Sequence, residues 1–346
     1  MKEKMKALVK PFSRAGAEMK MVDIPAIKDD EVLIKVKAAS ICGTDVHIFS
    51  WDKWAEKRVK PPYTMGHEFT GEIVQIGRNV KNAMIGDLVT AETHIICHHC
   101  PQCLEGNHHV CRNTKILGVD RDGSFAEYVA VPSFNIWKNP AGISLAEAAI
   151  LEPLGNAVHT VLSGEVTGKM VAIIGCGPIG LMAIAVAKAA GAAAVIAIDV
   201  NEHRLDLAKR LGASYEINSS KENTIDKVKK ITSDCGAEVV CEMSGNPRAV
   251  EQAFEIITPG GRMSILSLPP APIAIDFAEN LVLKGITVKG ISGRRIFSTW
   301  RKLTGMLSSG ILDIKPLVTH TLPLEEYKQG FEMMSNGQCG KVLLLP

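Results

Sequence analysis

The sequence lacks an excess of charge of either sign. Across 346 residues, 39 Lys and Arg stand against 37 Asp and Glu, a formal net charge of +2. Neither a nucleic acid nor an anionic membrane has an electrostatic reason to bind such a chain. A membrane-length apolar run is missing too: the best candidate, residues 179–190, is short and carries Lys188. The opening Met1-Lys-Glu-Lys has no apolar signal-peptide core. The nine cysteines are an odd number, which suits a reducing cytoplasm better than a secreted disulfide framework. No internal repeat or low-complexity tract is visible. With 46% hydrophobic and 22% charged residues, the chain is globular and long enough for two domains.

What is present is organised around residues 171–199. Val171-Ala-Ile-Ile is followed by Gly175-Cys-Gly177-Pro-Ile179-Gly180, an Ala-rich apolar run, and a second apolar run ending in Asp199. The order is strand, glycine turn, helix, strand, acid. Gly175 suits the tight turn, Gly177 admits a pyrophosphate close to backbone, and Gly180 lets the helix pack on the strand. The helix start offers N–H groups and dipole to phosphates. Asp199, nineteen residues beyond Gly180, can accept a bond from a ribose 2′-hydroxyl and would repel a 2′-phosphate. NAD is therefore expected over NADP, with Arg204 placed to lie over the ribose or adenine.

Further strands are expected at 215–218, 238–242, 263–268 and 287–291, with helices at 204–211, 223–232 and 247–257 between them. With the two opening strands this makes six, the count of a doubly wound parallel sheet. Leu266, Ser267 and Leu268, and Ile291 with Ser292, would end the fifth and sixth strands, where backbone can meet a nicotinamide. Residues 298–309 read as an amphipathic helix, and the 322–334 segment with a strand at 341–345 is expected to return to the first domain.

Residues 1–150 read as strands and turns, not helices. Alternation at 5–10, 31–39, 71–76, 87–93 and 125–131 implies a β-rich domain. Its loops carry metal-type residues. Cys42 in Ile41-Cys-Gly-Thr-Asp-Val-His47, with His67 and Glu68, supplies the donor types of an open catalytic zinc site. Cys97, Cys100, Cys103 and Cys111 have a spacing that lets four thiolates wrap a closed, structural zinc. An iron–sulfur cluster fits less well, because the fourth cysteine lies too far along and Arg112 follows it instead of Pro. His98, His99, His108 and His109 inside that lobe are expected to be solvated. Pro153 is expected to keep Glu152 out of a helix, at an irregular boundary facing an interdomain cleft.

These motifs together are similar to the zinc-dependent medium-chain alcohol dehydrogenases, over essentially the whole length. The resemblance implies an α/β architecture: a GroES-like β-rich catalytic domain, 1–155 with 295–346 returning to it, and a Rossmann domain, 156–294. It implies two zinc ions per subunit, one catalytic at Cys42, His67 and Glu68 and one structural at the four cysteines. Glu152 occupies a place where relatives supply a ligand or a proton relay, so Glu68 and Glu152 stand as alternative ligands. Thr44 and His47 match a relay pair carrying the alcohol proton past the nicotinamide ribose to solvent. Asp45 matches an acid that orients a ligand histidine. The stretches Trp51-Asp-Lys-Trp54, Glu152–His159 and Gly293-Arg294 resemble members that oxidise L-threonine, with Glu152 meeting the ammonium and His94 or Arg294 the carboxylate. Sorbitol- or 2,3-butanediol-type polyol oxidation is the alternative. A cytoplasmic homotetramer is implied, with possible handover of product to a 2-amino-3-oxobutanoate CoA ligase.

Overall fold

The computed structural model describes residues 3–346, so Met1 and Lys2, the first half of the stretch searched for a leader, lie outside the described residues. The chain divides into two units, Met1–Pro153 with Val318–Pro346, and Leu154–Leu317.

The first unit is built on strand Glu31–Ser40, whose apolar side chains are buried along nearly its full length. It pairs antiparallel with Glu68–Ile76, Tyr128–Pro132 and Lys341–Leu345. Seven strands form this sheet, and a three-stranded sheet joins Glu18–Asp23, Lys4–Lys10 and Tyr63–Thr64. The larger of the unit's buried apolar clusters has Ile34, Ile41, Phe69, Phe125, Phe331 and Val342 among its members. The expectation of no helices here needs correcting. Gly43–Ser50 and Lys53–Arg58 are helical, and the first follows directly on Cys42. Their starts are held by side chains: Asp45 accepts from the Cys42 N–H at 2.9 Å, and Asp52 accepts from Trp54 and Ala55. Helices of eight and six residues are too short for a 3.6-residue period to stand out in sequence.

Pro153 also behaves differently from expectation. The helix Leu151–Val161 runs through it, and Glu152 lies in its first turn. Proline is tolerated there because first-turn N–H groups have no intrahelical acceptor to lose.

The second unit carries six parallel strands in the order Tyr215–Asn218, Ala194–Asp199, Met170–Ile174, Ala237–Glu242, Ile257–Ile265, Thr287–Gly290. That is the 3-2-1-4-5-6 order of the Rossmann sheet, in which ligands meet the carboxyl ends of the strands. Residues 295–317 belong to this unit, and the return to the first begins at Val318. The helix Ser298–Ser308 buries Trp300 and Leu303, while the Arg294 just before it lies against Gly155 and donates to Asn156 at 3.1 Å. Among the described residues no helix is long and apolar enough to cross a membrane.

Candidate active site and metal centres

Cys42, His67 and Glu68 come together with one donor atom each inside 4.8 Å of the others. The helix start places Cys42, and the strand beginning at Glu68 places the other two. His67 and Glu68 are buried. Asp45 lies below them, fully buried, with Oδ1 3.5 Å from His67 Nδ1. Burial opposes a charged imidazole, but Asp45 and the Cys42 sulfur outweigh it and hold His67 well above the usual histidine range. Glu68 Oε2 accepts from the ammonium of Lys341, which also donates to the Ile41 carbonyl at 2.7 Å. Burial works against the Lys341 charge, and Glu68 and Cys42 restore and raise it. Glu68 Oε1 is buried without a hydrogen-bond partner among the described residues. A thiol, an imidazole and an unsatisfied carboxylate oxygen, with the buried Asp45 carboxylate beside them, form a site that fits a divalent cation of zinc type.

Glu152 stands outside this group. Its Oε1 accepts from the Thr93 hydroxyl at 2.7 Å. Thr44 and His47 sit three residues apart on Gly43–Ser50, so they share a helix face. The imidazole of His47 is exposed, and its Nδ1 is 2.6 Å from Asp52 Oδ2. His94 lies 3.9 Å from the buried Glu92 carboxylate.

The four lobe cysteines form a second group inside 4.8 Å. All are free thiols. The Cys111 Sγ is 3.5 Å from that of Cys97 and 3.9 Å from that of Cys100. A tetrahedral zinc with Zn–S near 2.3 Å has sulfurs about 3.8 Å apart, so the cage already has the dimensions of the ion. The His99 N–H draws the Cys97 thiol down to about 5, while burial pushes Cys103 up to about 12. The neighbouring histidines are not simply solvated: His98 and His108 meet Phe134 edge-on at 4.6 and 6.3 Å.

In the second unit the glycine turn is sterically fixed. Gly175 has φ +89°, and a Cβ on Gly180 would lie 1.9 Å from the Gly175 carbonyl oxygen. A Cβ on Gly177 would meet nothing within 4 Å among the described residues, which leaves its outer face open for a phosphate. Pro178 and Ile179 start the helix. Asp199 ends its strand and accepts from the N–H groups of Cys176 at 2.6 Å, Val200 at 2.8 Å and Asn201 at 2.9 Å. One of its lone pairs is left for a ribose hydroxyl. Arg204 is 3.9 Å away. The Leu266 N–H donates to the Glu242 carbonyl, and the Ile291 N–H to that of Ile265. Ser292 follows Ile291, and the Leu268 side chain is 84% exposed.

Three site features were not visible in the sequence. Lys341, which pairs with Glu68, is 273 residues distant from it. Asp52 is a short polar residue in a loop-like run. Glu242, fully buried at a strand end, accepts from the Ser244 and Gly245 N–H groups and the Ser267 hydroxyl. A lone acid ending the apolar run Val239-Val240-Cys241 was the only signal for it.

Two family models match the chain: an alcohol dehydrogenase GroES-like domain over residues 28–141 and a zinc-binding dehydrogenase over 178–309. The L-threonine 3-dehydrogenase of Bacillus licheniformis is 58% identical over 99% of both chains. Among solved structures, a zinc-binding dehydrogenase from Sinorhizobium meliloti bound to NADP matches with TM-score 0.90 and 30% identity over 100% of both chains. The 2R,3R-butanediol dehydrogenase of Bacillus subtilis matches with TM-score 0.89 and 30% identity over 99% of both.

Proposed function

The chain belongs to the zinc-binding alcohol dehydrogenases with a GroES-like domain, and from that premise we propose that it oxidises L-threonine at C3 to L-2-amino-3-oxobutanoate, reducing NAD to NADH. The observation that carries the substrate is the 58% identity to a threonine dehydrogenase along 99% of both chains, against 30% to a butanediol dehydrogenase of the same fold. Cys42, His67 and Glu68 would hold the catalytic zinc, and the four-cysteine cage would hold a second, structural one. When bound, zinc polarises the substrate hydroxyl and the nicotinamide takes the hydride.

The chain's own residues align the substrate and move the proton. Lys341 balances the Glu68 carboxylate, so Glu68 is not left as an unpaired buried charge whether it or Glu152 would serve as the ligand. Glu152, held by Thr93, meets the substrate ammonium and is the alternative ligand. His94 is favoured over Arg294 for the substrate carboxylate, because Arg294 is only 1% exposed and already engaged with Asn156. Thr44 passes the hydroxyl proton on, and His47, exposed at the helix surface, delivers it to solvent. Asp199 selects NAD, and the Gly177 turn with the N-terminus of Pro178–Ala189 takes the pyrophosphate. Leu266, Ser267, Leu268, Ile291 and Ser292 contribute on the nicotinamide side, and Arg204 beside the adenosine. We further propose a cytoplasmic homotetramer that hands its oxo product to a CoA ligase.

The test is initial NAD reduction with L-threonine, sorbitol and 2,3-butanediol side by side. Threonine should lead by at least about a thousandfold in kcat/KM, more than the roughly 10–200-fold that one missing methylene contact supplies and toward the roughly 10⁴–10⁵-fold expected from unpaired polar groups. Equal or better turnover of a diol would replace the substrate. Full activity after metal removal by a chelator would end the zinc mechanism.

A further inference from the structure

His47 has two ring nitrogens, and a group that takes up a proton must present an unprotonated one. Its Nδ1 is 2.6 Å from Asp52 Oδ2. The two carboxylate oxygens of Asp52 have separate duties. Oδ1 accepts from Trp54 N–H at 3.0 Å and Ala55 N–H at 2.9 Å, capping the helix Lys53–Arg58. Oδ2 faces the imidazole. Burial works to raise the Asp52 carboxyl, but the Ala55 N–H, the His47 ring and the Trp54 N–H prevail and hold it below the usual carboxylate range. It is therefore ionised and can only accept, so the hydrogen between the two side chains belongs to Nδ1. The cap fixes the carboxylate, since an N-cap acid bonded to two backbone N–H groups is not free to swing away. The chain itself holds the two groups near each other: both Trp51 and Asp52 N–H return to the His47 carbonyl at the end of Gly43–Ser50.

We propose that Asp52 is a positioning residue of the proton path: capped in place by the second helix, it fixes His47 as the Nδ1–H tautomer and keeps Nε2 free to accept the proton that leaves the substrate. This rests on the reading of His47 as the last member of that path. The balance is simple. One proton arrives at Nε2 as the hydroxyl is oxidised, the ring becomes imidazolium beside the Asp52 carboxylate, and Nε2 gives the proton to water. Asp52 neither gains nor loses one. The pair is exposed, with side chains 59% and 38% accessible, which suits release to solvent and makes it a poor source of stability.

The test compares two substitutions that both keep a cap. In Asp52→Asn the side-chain oxygen replaces Oδ1 on Trp54 and Ala55, while the amide N–H₂ replaces Oδ2 and donates to Nδ1. That forces the hydrogen to Nε2, the wrong nitrogen. In Asp52→Ser the cap persists but the shorter side chain leaves the ring unconstrained. With the zinc-loaded enzyme, NAD and L-threonine, kcat should fall about a hundredfold in Asp52→Asn and about tenfold in Asp52→Ser, within the range for a general base, with the threonine KM nearly unchanged. His47→Gln should fall at least as far as Asp52→Asn. The double variant His47→Gln/Asp52→Asn should be no slower than His47→Gln alone, because Asp52 acts through that ring. ¹⁵N NMR of histidine-labelled protein, which needs no turnover, should show the His47 signal change from the Nδ1–H to the Nε2–H pattern in Asp52→Asn. If Asp52→Asn and Asp52→Ser both keep kcat within about twofold while His47→Gln is a hundredfold down, Asp52 is only a helix cap and the proposal falls with the proton path intact. Full turnover in His47→Gln would remove the path itself. An unchanged tautomer in Asp52→Asn would also overturn the proposal.

Discussion

The two metal-type clusters of the first unit are built in opposite ways. The lobe takes four identical thiols from a span of fifteen residues, Cys97 to Cys111, and its neighbours are backbone N–H groups and aromatic edges. The open cluster takes a thiol, an imidazole and a carboxylate from two separated segments, with an acid below and a lysine from the far end of the chain beside it. The first offers four like donors, enough to close a tetrahedral shell. The second offers three unlike donors with Asp45 and Lys341 beside them, the donor number of an open catalytic zinc site, where a fourth position is kept for water or substrate. Local spacing suffices to specify the one, whereas the other needs the whole sheet.

The largest effect should come from the lobe. Cys103→Ser should remove one zinc equivalent and leave residues 97–111 open to proteolysis, because the metal supplies about 10 kcal/mol in small zinc sites. Full protease resistance with one zinc missing would show that the lobe holds itself. At the open cluster, Cys42→Ser should lower turnover by about a thousandfold, roughly 4 kcal/mol, yet leave NADH binding and the melting temperature unchanged. A melting shift as large as that of Cys103→Ser would erase the distinction between the two sites. Lys341→Met should cost about 3–5 kcal/mol of stability in metal-free protein, since it strands a fully buried Glu68 carboxylate, and Lys341→Arg should recover part of it. A calorimetric shift below about 2 °C would mean that Glu68 finds another partner or a proton. Outside both clusters, Asp199→Asn should lower the NAD-to-NADP ratio of kcat/KM by about tenfold, ~1.4 kcal/mol, and touch neither zinc. No change in that ratio would count against a ribose contact.

The same contrast explains what the sequence made legible. The Rossmann strands could be read because each is a buried apolar run, and the glycine turn because Gly175 and Gly180 cannot be anything larger. The lobe cysteines could be read from spacing alone. The helices Gly43–Ser50 and Lys53–Arg58 could not, being too short for a period and dominated by polar residues that also suit turns. Glu152 was misplaced because the rule that proline ends helices does not apply in a first turn. Lys341 opens an apolar strand with nothing local to mark its role, and only the antiparallel pairing of Lys341–Leu345 with Glu31–Ser40 brings it to Glu68.

That pairing has a consequence for biosynthesis. On the ribosome, Cys42, His67 and Glu68 are translated long before Lys341, which follows Glu68 by 273 positions. A nascent chain can close its cysteine cage as soon as Cys111 emerges. The Cys42, His67 and Glu68 cluster gains its Lys341 partner only when one of the last strands to be made docks onto one of the first, so the two clusters are completed at different stages of the protein's birth.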